Sequence, residues 1–436
     1  MTFTARWFAL FAAGSVPLAL SWWAPGLALL AIPWNGLLLA AAIADYLLLP
    51  PWAAIEVSRR VEAELSLGED NPVRVEVANR SKWQWNITLH DEPPPRMPTD
   101  HRDAAAVVAP GRRHTTLYHV RPRARGDYRF GDVWVRVRGR LGLVARIGRF
   151  PAEQEVKVYP NLRATARFTL MARRGRLQQL GIRAARLAGA GREFESLRDH
   201  QPDDDIRRID WKATARRGRL VSREYQVERS QNVLLALDLG RTMLAEIDGI
   251  AKLDYALNAA LLLATVASLS DDRVGLLAFS DTVRAWIAPA RGRGQVCRIL
   301  QALYNVRAER VEPDYEAAFA WLAGRWRRRS LVVAFTDLWD PESSRQTISQ
   351  LASLQPRHLV ACVTLLDSLV PRLASAPLRV ASDAFERAVA LQVLEDRERA
   401  AAELRRRGVL VVDSPADRLS ADLVNRYLEV KERMLL

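Results

Sequence analysis

The chain has 436 residues, of which 49% are hydrophobic and 26% charged, and a formal net charge of +14. That length exceeds one ordinary core and gives two or three units at roughly 100–200 residues per domain, while the apolar content excludes a disordered or fibrous chain. Cys297 and Cys362 lie far apart outside any CxxC, and the six histidines, His90, His101, His114, His119, His200 and His358, never fall at metal-ligand spacing with Cys or Glu. Neither a disulfide framework nor a zinc site is suggested, which fits a reducing compartment.

No charged residue occurs between Arg6 and Asp45, a stretch about twice the roughly 20 residues one helix needs to cross a bilayer. The expectation is a two-helix transmembrane hairpin over residues 1–50, with spans at 7–23 and 26–48. The break falls at Trp22-Trp23-Ala24-Pro25-Gly26, where interface-suited aromatics meet a Pro-Gly turn signal. The turn carries no Lys or Arg, whereas Arg6 precedes the hairpin and Arg59-Arg60 follow it, so the positive-inside rule places both termini and the soluble domains in the cytoplasm. A cleavable signal peptide is the other reading; the apolar stretch outruns a usual h-region and no polar mature start follows.

From residue 51 to 160 the pattern changes to short alternating runs such as Val73-Arg74-Val75-Glu76-Val77 and Val133-Trp134-Val135-Arg136-Val137-Arg138. Period two means strands with one wet face, and turn punctuation at Gly68-Glu69-Asp70-Asn71-Pro72 and Asp91-Glu92-Pro93-Pro94-Pro95 separates them. Several strands at this spacing predict a small β-sandwich, immunoglobulin-like in class. Residues 161–230 then read as a linker and a signature segment. The linker part is rich in Arg, Ala and Leu; its basic run is the best place for a nucleic-acid contact, but no aromatics interleave with it to stack on bases, and no nucleic-acid partner is expected.

The signature runs from Gly191 to Arg216 and packs carboxylates, arginines and Trp211 into a stretch with little periodicity. Such a mix suits a loop fixed by charge-assisted hydrogen bonds with Trp211 as an apolar anchor. Two readings stand side by side, a docking surface and an internal clasp between domains. The candidate interaction residues are Arg198, Asp204, Arg207, Asp210, Trp211, Lys212 and Arg216.

This segment closely resembles the signature of the bacterial family known as domain of unknown function 58. The residues that carry the likeness are Glu193-Phe194, Leu197-Arg198, Pro202, Asp204, Arg207, Ile209-Asp210-Trp211-Lys212 and Ala215-Arg216, with Arg125-Gly126-Asp127-Tyr128, Gly131 and Val158-Tyr159-Pro160 upstream. Asp203 stands where the family usually has glycine. The resemblance is read over essentially the whole chain. It implies a von Willebrand factor A-like protein anchored in the bacterial inner membrane and working with a MoxR-type AAA+ ATPase.

Residues 231–436 alternate buried apolar strands, at 233–238, 274–279, 331–335, 358–365 and 409–412, with helices, including an apolar-striped one at 253–270. Alternation of this kind predicts a doubly wound, mostly parallel sheet, the von Willebrand A-like class, with ligands at the carboxyl ends of its strands. Asp238 and Asp337 sit at two such ends. Their placement resembles that of the aspartates in a metal-ion-dependent adhesion site, where a hard ion such as Mg²⁺ takes about six oxygens. In that family the oxygens come from an Asp-x-Ser-x-Ser loop, a distant threonine and a second aspartate. Here the loop reads Asp238-Leu239-Gly240-Arg241-Thr242, and no Ser or Thr hydroxyl is available near Val311-Glu312-Pro313-Asp314-Tyr315. The candidate metal set is therefore Asp238, Thr242 and Asp337, a degenerate site for Mg²⁺, with a metal-free loop kept for fold geometry as the other reading.

The function expected from the sequence is a membrane-anchored, non-enzymatic scaffold or adaptor that helps a MoxR-type ATPase assemble or activate a partner complex. Two alternatives are a metal-dependent ligand-binding protein or hydrolase using Asp238 and Asp337, and a basic surface that binds anionic lipid or nucleic acid. Against an enzyme, the sequence has no glycine-rich phosphate loop, no Gly-x-Ser-x-Gly elbow and no histidine-containing metal constellation.

Overall fold

A computed structural model describes residues 2–433 and 435, apart from 25, 27, 102, 174–193, 200, 202–208, 226–229 and 339–340. The chain divides into two compact units, Met1–Tyr159 and Pro160–Leu436.

The first unit opens with β1 (Thr2–Phe3), α1 (Ala5–Leu20) and α2 (Ala28–Leu47). Ten strands follow: β2 (Ile55–Val61), β3 (Glu64–Ser66), β4 (Asn71–Asn79), β5 (Trp85–Asp91), β6 (Asp103–Val108), β7 (Arg113–Val120), β8 (Gly126–Phe130), β9 (Val133–Arg138), β10 (Val144–Phe150) and β11 (Gln154–Tyr159). They build sheets of order β1-β10-β9-β5-β6, β2-β4-β7 and β3-β11-β8. Alternation decides which face is dry: Val73, Val75 and Val77 of β4 and Val133, Val135 and Val137 of β9 are all buried, while Arg74, Trp134 and Arg138 between them are exposed.

The predicted transmembrane hairpin is overturned. Among the described residues, the only helix both long and apolar enough to cross a membrane is at Lys252–Leu269, and it is largely buried in the second unit; the apolar helices at Ala5–Leu20 and Ala31–Leu47 are too short for that test. At about 1.5 Å per residue, a 16-residue α1 reaches only about 24 Å, short of a hydrocarbon layer about 30 Å thick. The missing length went into local structure that an uncharged stretch does not announce. Thr2 and Phe3 are a strand paired with Ala145 and Val144, and the Thr4 hydroxyl accepts the Trp7 N–H as the cap of α1 while donating to the Gly142 carbonyl at 2.6 Å. Past the end of the apolar run, Asp45 is fully buried, and its carboxylate accepts the N–H groups of Leu141 at 2.8 Å, Leu143 at 2.9 Å and Val144 at 3.2 Å. The backbone approaches this carboxylate closely at Gly139, where an added Cβ would lie 2.2 Å from Asp45 Oδ2. The two-sheet sandwich is also corrected, since the strands form three separate sheets and the first of them already uses residue 2.

The second unit contains α3 (Leu162–Arg173), β12 (Phe194–Asp199), α4 (Trp211–Arg217), β13 (Val221–Tyr225), β14 (Asn232–Asp238), the small hairpin β15 (Glu246–Ile247) and β16 (Ile250–Ala251), and α5 (Lys252–Leu269). It continues through β17 (Arg273–Phe279), β18 (Val283–Ala290), α6 (Arg293–Asn305), α7 (Tyr315–Arg325), β19 (Leu331–Phe335), α8 (Pro341–Ser353), β20 (Leu359–Leu366), α9 (Leu369–Ser375), α10 (Ala381–Arg406), β21 (Leu410–Pro415) and α11 (Leu419–Glu432). Six strands make one sheet of order β18-β17-β14-β19-β20-β21. Residues of β14 point alternately to its two faces. Val233, Leu235 and Leu237 join a core with Phe168 of α3 and residues of α5, α6 and α11; Leu234 and Ala236 join another with α7, α8 and α10.

This sheet is mixed: β17, β14, β19, β20 and β21 run parallel to one another, and the edge strand β18 runs antiparallel to β17. The physical reason is the connection. Only Ser280, Asp281 and Thr282 separate the two strands, and a parallel pairing needs a crossover of about a dozen residues or more. α10 has 26 residues, about 39 Å, and its Arg397 meets the Leu365 carbonyl and Asp413. The part of α10 before Arg397 carries Phe385, which is 74% exposed, and Val389.

Candidate functional site

Asp238 closes β14 with its carboxylate buried. Its Oδ1 accepts the Gly240 N–H at 2.7 Å, and its Oδ2 accepts the Tyr315 hydroxyl at 2.5 Å and the Thr336 hydroxyl at 3.0 Å. Tyr315 is the first residue of α7, whose N-cap Asp314 accepts the Ala317 N–H at 2.8 Å, so the phenol is set by the start of a capped helix. Burial is the largest influence on Asp238 and raises its carboxyl pKa, against the three hydrogen bonds that lower it. Burial likewise pushes the Tyr315 hydroxyl well above its usual range, with the Asp238 charge adding to the effect.

Asp337 has a different environment. It lies two residues past β19, and its carboxylate is met by two buried cations: Lys252 Nζ on Oδ2, and Arg397 Nη1 on Oδ1 at 2.8 Å. The Leu338 N–H also donates to Oδ1, at 3.0 Å. Arg397 reaches onward through Nη2 to Asp413 of β21 at 2.6 Å and to the Leu365 carbonyl at 3.0 Å, and Asp413 accepts the Thr364 hydroxyl at 2.7 Å. Burial works against the Arg397 charge, but Asp337 and Asp413 outweigh it, and the net pKa moves up. Nearby, burial pushes the Cys362 thiol up to about 12, so it stays protonated in the sheet core.

The structure thus brings Asp238 and Asp337 to one end of the sheet but does not add Thr242 to them. Thr242 lies in a single 3-10 turn, Arg241–Leu244, and no hydrogen bond joins its hydroxyl to either aspartate. Gly240 has no room for the missing serine: an added Cβ would lie 2.7 Å from Pro313 Cδ. Arg241 turns outward to an exposed ion pair with Glu312 at 2.6 Å. The donors around Asp337 include ammonium, guanidinium and amide N–H groups, whereas Mg²⁺ demands oxygens. The residues present do not fit the ion, and among the described residues no cluster of three or more His, Cys, Asp or Glu could hold a metal.

Of the interaction residues, Asp204 and Arg207 lie outside the described residues. Arg198 lies on β12, which pairs with β13. Asp210 is the N-cap of α4, accepting the N–H groups of Lys212 and Ala213 at 3.0 Å each, and its own N–H donates to the Val221 carbonyl at 2.8 Å. The Thr214 hydroxyl accepts the Val221 N–H at 3.1 Å, and Gly218, at φ 66°, closes the helix in the left-handed region. On this mount Trp211 is 65% exposed, with Lys212 and Arg216 also exposed. Sequence reasoning missed Tyr315, Thr336, Lys252, Arg397 and Asp413.

A family model described as "Protein of unknown function DUF58" matches residues 196–407, from β12 to the last turn of α10. Over that stretch, a little under half of its length, the chain matches this family. The DUF58 match takes in Asp210, Trp211, Asp238, Lys252, Tyr315, Asp337 and Arg397, and stops before Asp413. The chain is 28% identical to the uncharacterized protein YeaD of Bacillus subtilis (strain 168) over 204 residues, 45% of this chain and 50% of that protein. It is 26% identical to the uncharacterized protein Rv1480 of Mycobacterium tuberculosis (strain ATCC 25618 / H37Rv) over 183 residues, 42% of this chain and 57% of that protein. The chain therefore spans about half the length of the curated relatives it matches. Among solved structures, the CARDB domain of a Pyrococcus furiosus protein covers 24% of this chain and 86% of its own length at 12% identity, with a TM-score of 0.18, too low to carry an argument.

Proposed function

We propose that this DUF58 protein is a non-enzymatic adaptor that presents Trp211 to a protein partner, and that the partner is a MoxR-type AAA+ ATPase acting on a client complex. The observation that carries the reading is the exposure of Trp211 on a helix fixed at both ends by Asp210 and Gly218. A large indole held rigidly in water loses little conformational freedom on binding, and tryptophan leads the residues that dominate interface energetics. Lys212 and Arg216 beside it favour an acidic partner surface and raise the encounter rate. The state of the strand-end carboxylates supports a role without catalysis. Asp238 accepts three internal hydrogen bonds and Asp337 meets two cations and an amide, contacts that disfavour either as a general base or nucleophile.

The test is calorimetric titration of the purified full chain with a purified MoxR-type ATPase from the same genome. Trp211→Ala is expected to weaken binding by about 30-fold or more, the scale of a hot-spot loss near 2 kcal/mol. Equal affinity for wild type and variant, or no binding by the wild type, sinks the reading.

A further inference from the structure

We propose that the Lys252 ammonium, backed by the Arg397 guanidinium, stands where a divalent ion would otherwise compensate the strand-end carboxylates, making this end of the sheet constitutively metal-independent. The inference does not depend on which partner the protein binds.

Lys252 is the opening residue of α5, where its charge faces the positive end of the helix dipole, and the N-cap Ala251 supplies no side-chain hydrogen bond. A cation is disfavoured at that place on local grounds alone. It is tolerated because the side chain, 2% exposed, is buried against the Asp337 carboxylate, which is itself sealed from solvent.

Among the described residues, the Asp337 and Asp413 carboxylates already meet two cations, Lys252 and Arg397. A divalent ion at Asp337 would stand beside both, where like charges repel and charge burial is costly. At Asp238 an ion would compete with the hydroxyl and amide hydrogen bonds that both oxygens already accept. The loop position that would supply a further hydroxyl is Gly240, closed off by Pro313.

The experiment uses the full chain and Mn²⁺ as the probe, read by the electron paramagnetic resonance signal of the free ion, together with thermal unfolding in Mg²⁺ and in EDTA. Wild type is expected to leave the Mn²⁺ signal undiminished and to unfold at the same temperature in both media, since an ion bound only by the folded state would raise the midpoint. Lys252→Ala is expected to unfold at a lower temperature, to bind Mn²⁺ at least about ten-fold more tightly than wild type, and to regain part of the lost midpoint when Mn²⁺ is added. Lys252→Met, which fills the volume without the charge, is expected to lose thermal midpoint as well. A saturable Mn²⁺ site in wild type that Asp238→Asn abolishes overturns the proposal. So does a Lys252→Ala protein that gains no Mn²⁺ affinity, or a Lys252→Met protein as stable as wild type. Should both variants fail to fold, the wild-type response to Mn²⁺ and Mg²⁺ decides alone.

Discussion

Tyr315 donates its hydroxyl proton to Asp238 at 2.5 Å, joining the first residue of a helix to the last residue of a strand 77 positions earlier. The Thr336 hydroxyl lies 2.5 Å from the same phenol oxygen, so three side chains share one buried cluster. Tyr315→Phe removes a hydrogen bond to a buried carboxylate, and such bonds contribute about 1.5–3 kcal/mol. A fall of about 2 kcal/mol in the unfolding free energy is expected, read from urea denaturation.

The two strand-end aspartates are expected to respond differently to the same substitution. Asp337→Asn leaves Lys252 and Arg397 facing a neutral amide, and breaking a buried pair this way costs about 3–5 kcal/mol. Asp238 is held above its ordinary value of 3.8, chiefly by burial. A raised carboxyl pKa means that the folded state prefers the neutral form, so its contribution is present below the unfolded value and is lost as pH rises through the folded one. Asp238→Asn cannot ionise and escapes that loss. The difference in melting temperature between Asp238→Asn and wild type is expected to grow in favour of the variant as pH rises above about 4, by differential scanning calorimetry.

Asp210→Ala removes the acceptor of two N–H groups at the start of α4. Loss of a side-chain N-cap costs about 1 kcal/mol. Amide exchange of residues 211–217 is expected to quicken by about five-fold, with the exchange of the sheet core unchanged.

Asp45→Ala strips a common acceptor from three backbone amides, Leu141, Leu143 and Val144, in the first unit. Each buried donor left unpaired costs about 1–3 kcal/mol, so a loss of about 3 kcal/mol or more is expected in the transition of that unit. Gly139→Ala should be damaging for the complementary reason, because its Cβ would enter the space the carboxylate fills. Calorimetry of both variants checks this.

The strand-end aspartates were legible because a run of buried apolar residues that stops at a carboxylate marks the place where a parallel strand leaves the core, as at Leu235-Ala236-Leu237-Asp238. Their partners were not. Tyr315 was passed over because the missing hydroxyl was sought only from Ser or Thr, although a phenol supplies the same donor. Arg397 sits within Glu395-Asp396-Arg397-Glu398-Arg399, a mixture that reads as a solvated face, yet it is buried against Asp337 while Glu395 and Arg399 are exposed. Nothing local separates these arginines; the choice is made by Asp337 and Asp413, 60 and 16 residues away in sequence. Lys252 left one faint trace, a cation heading an otherwise apolar helix. The hairpin reading failed because an uncharged stretch specifies burial or lipid equally well, and a two-residue strand and a capping threonine leave no periodic signal.

The pairing of Thr2 with Ala145 and of Asp45 with the backbone at 141–144 sets an order of events during synthesis. Sheet β1-β10-β9-β5-β6 cannot gain its first strand, nor Asp45 its partners, until residue 145 has left the ribosome. At about 5–20 residues per second, the opening segment waits on the order of ten seconds with its apolar side chains unmatched. Nascent chains halted shortly before and shortly after that point should differ sharply in protease resistance.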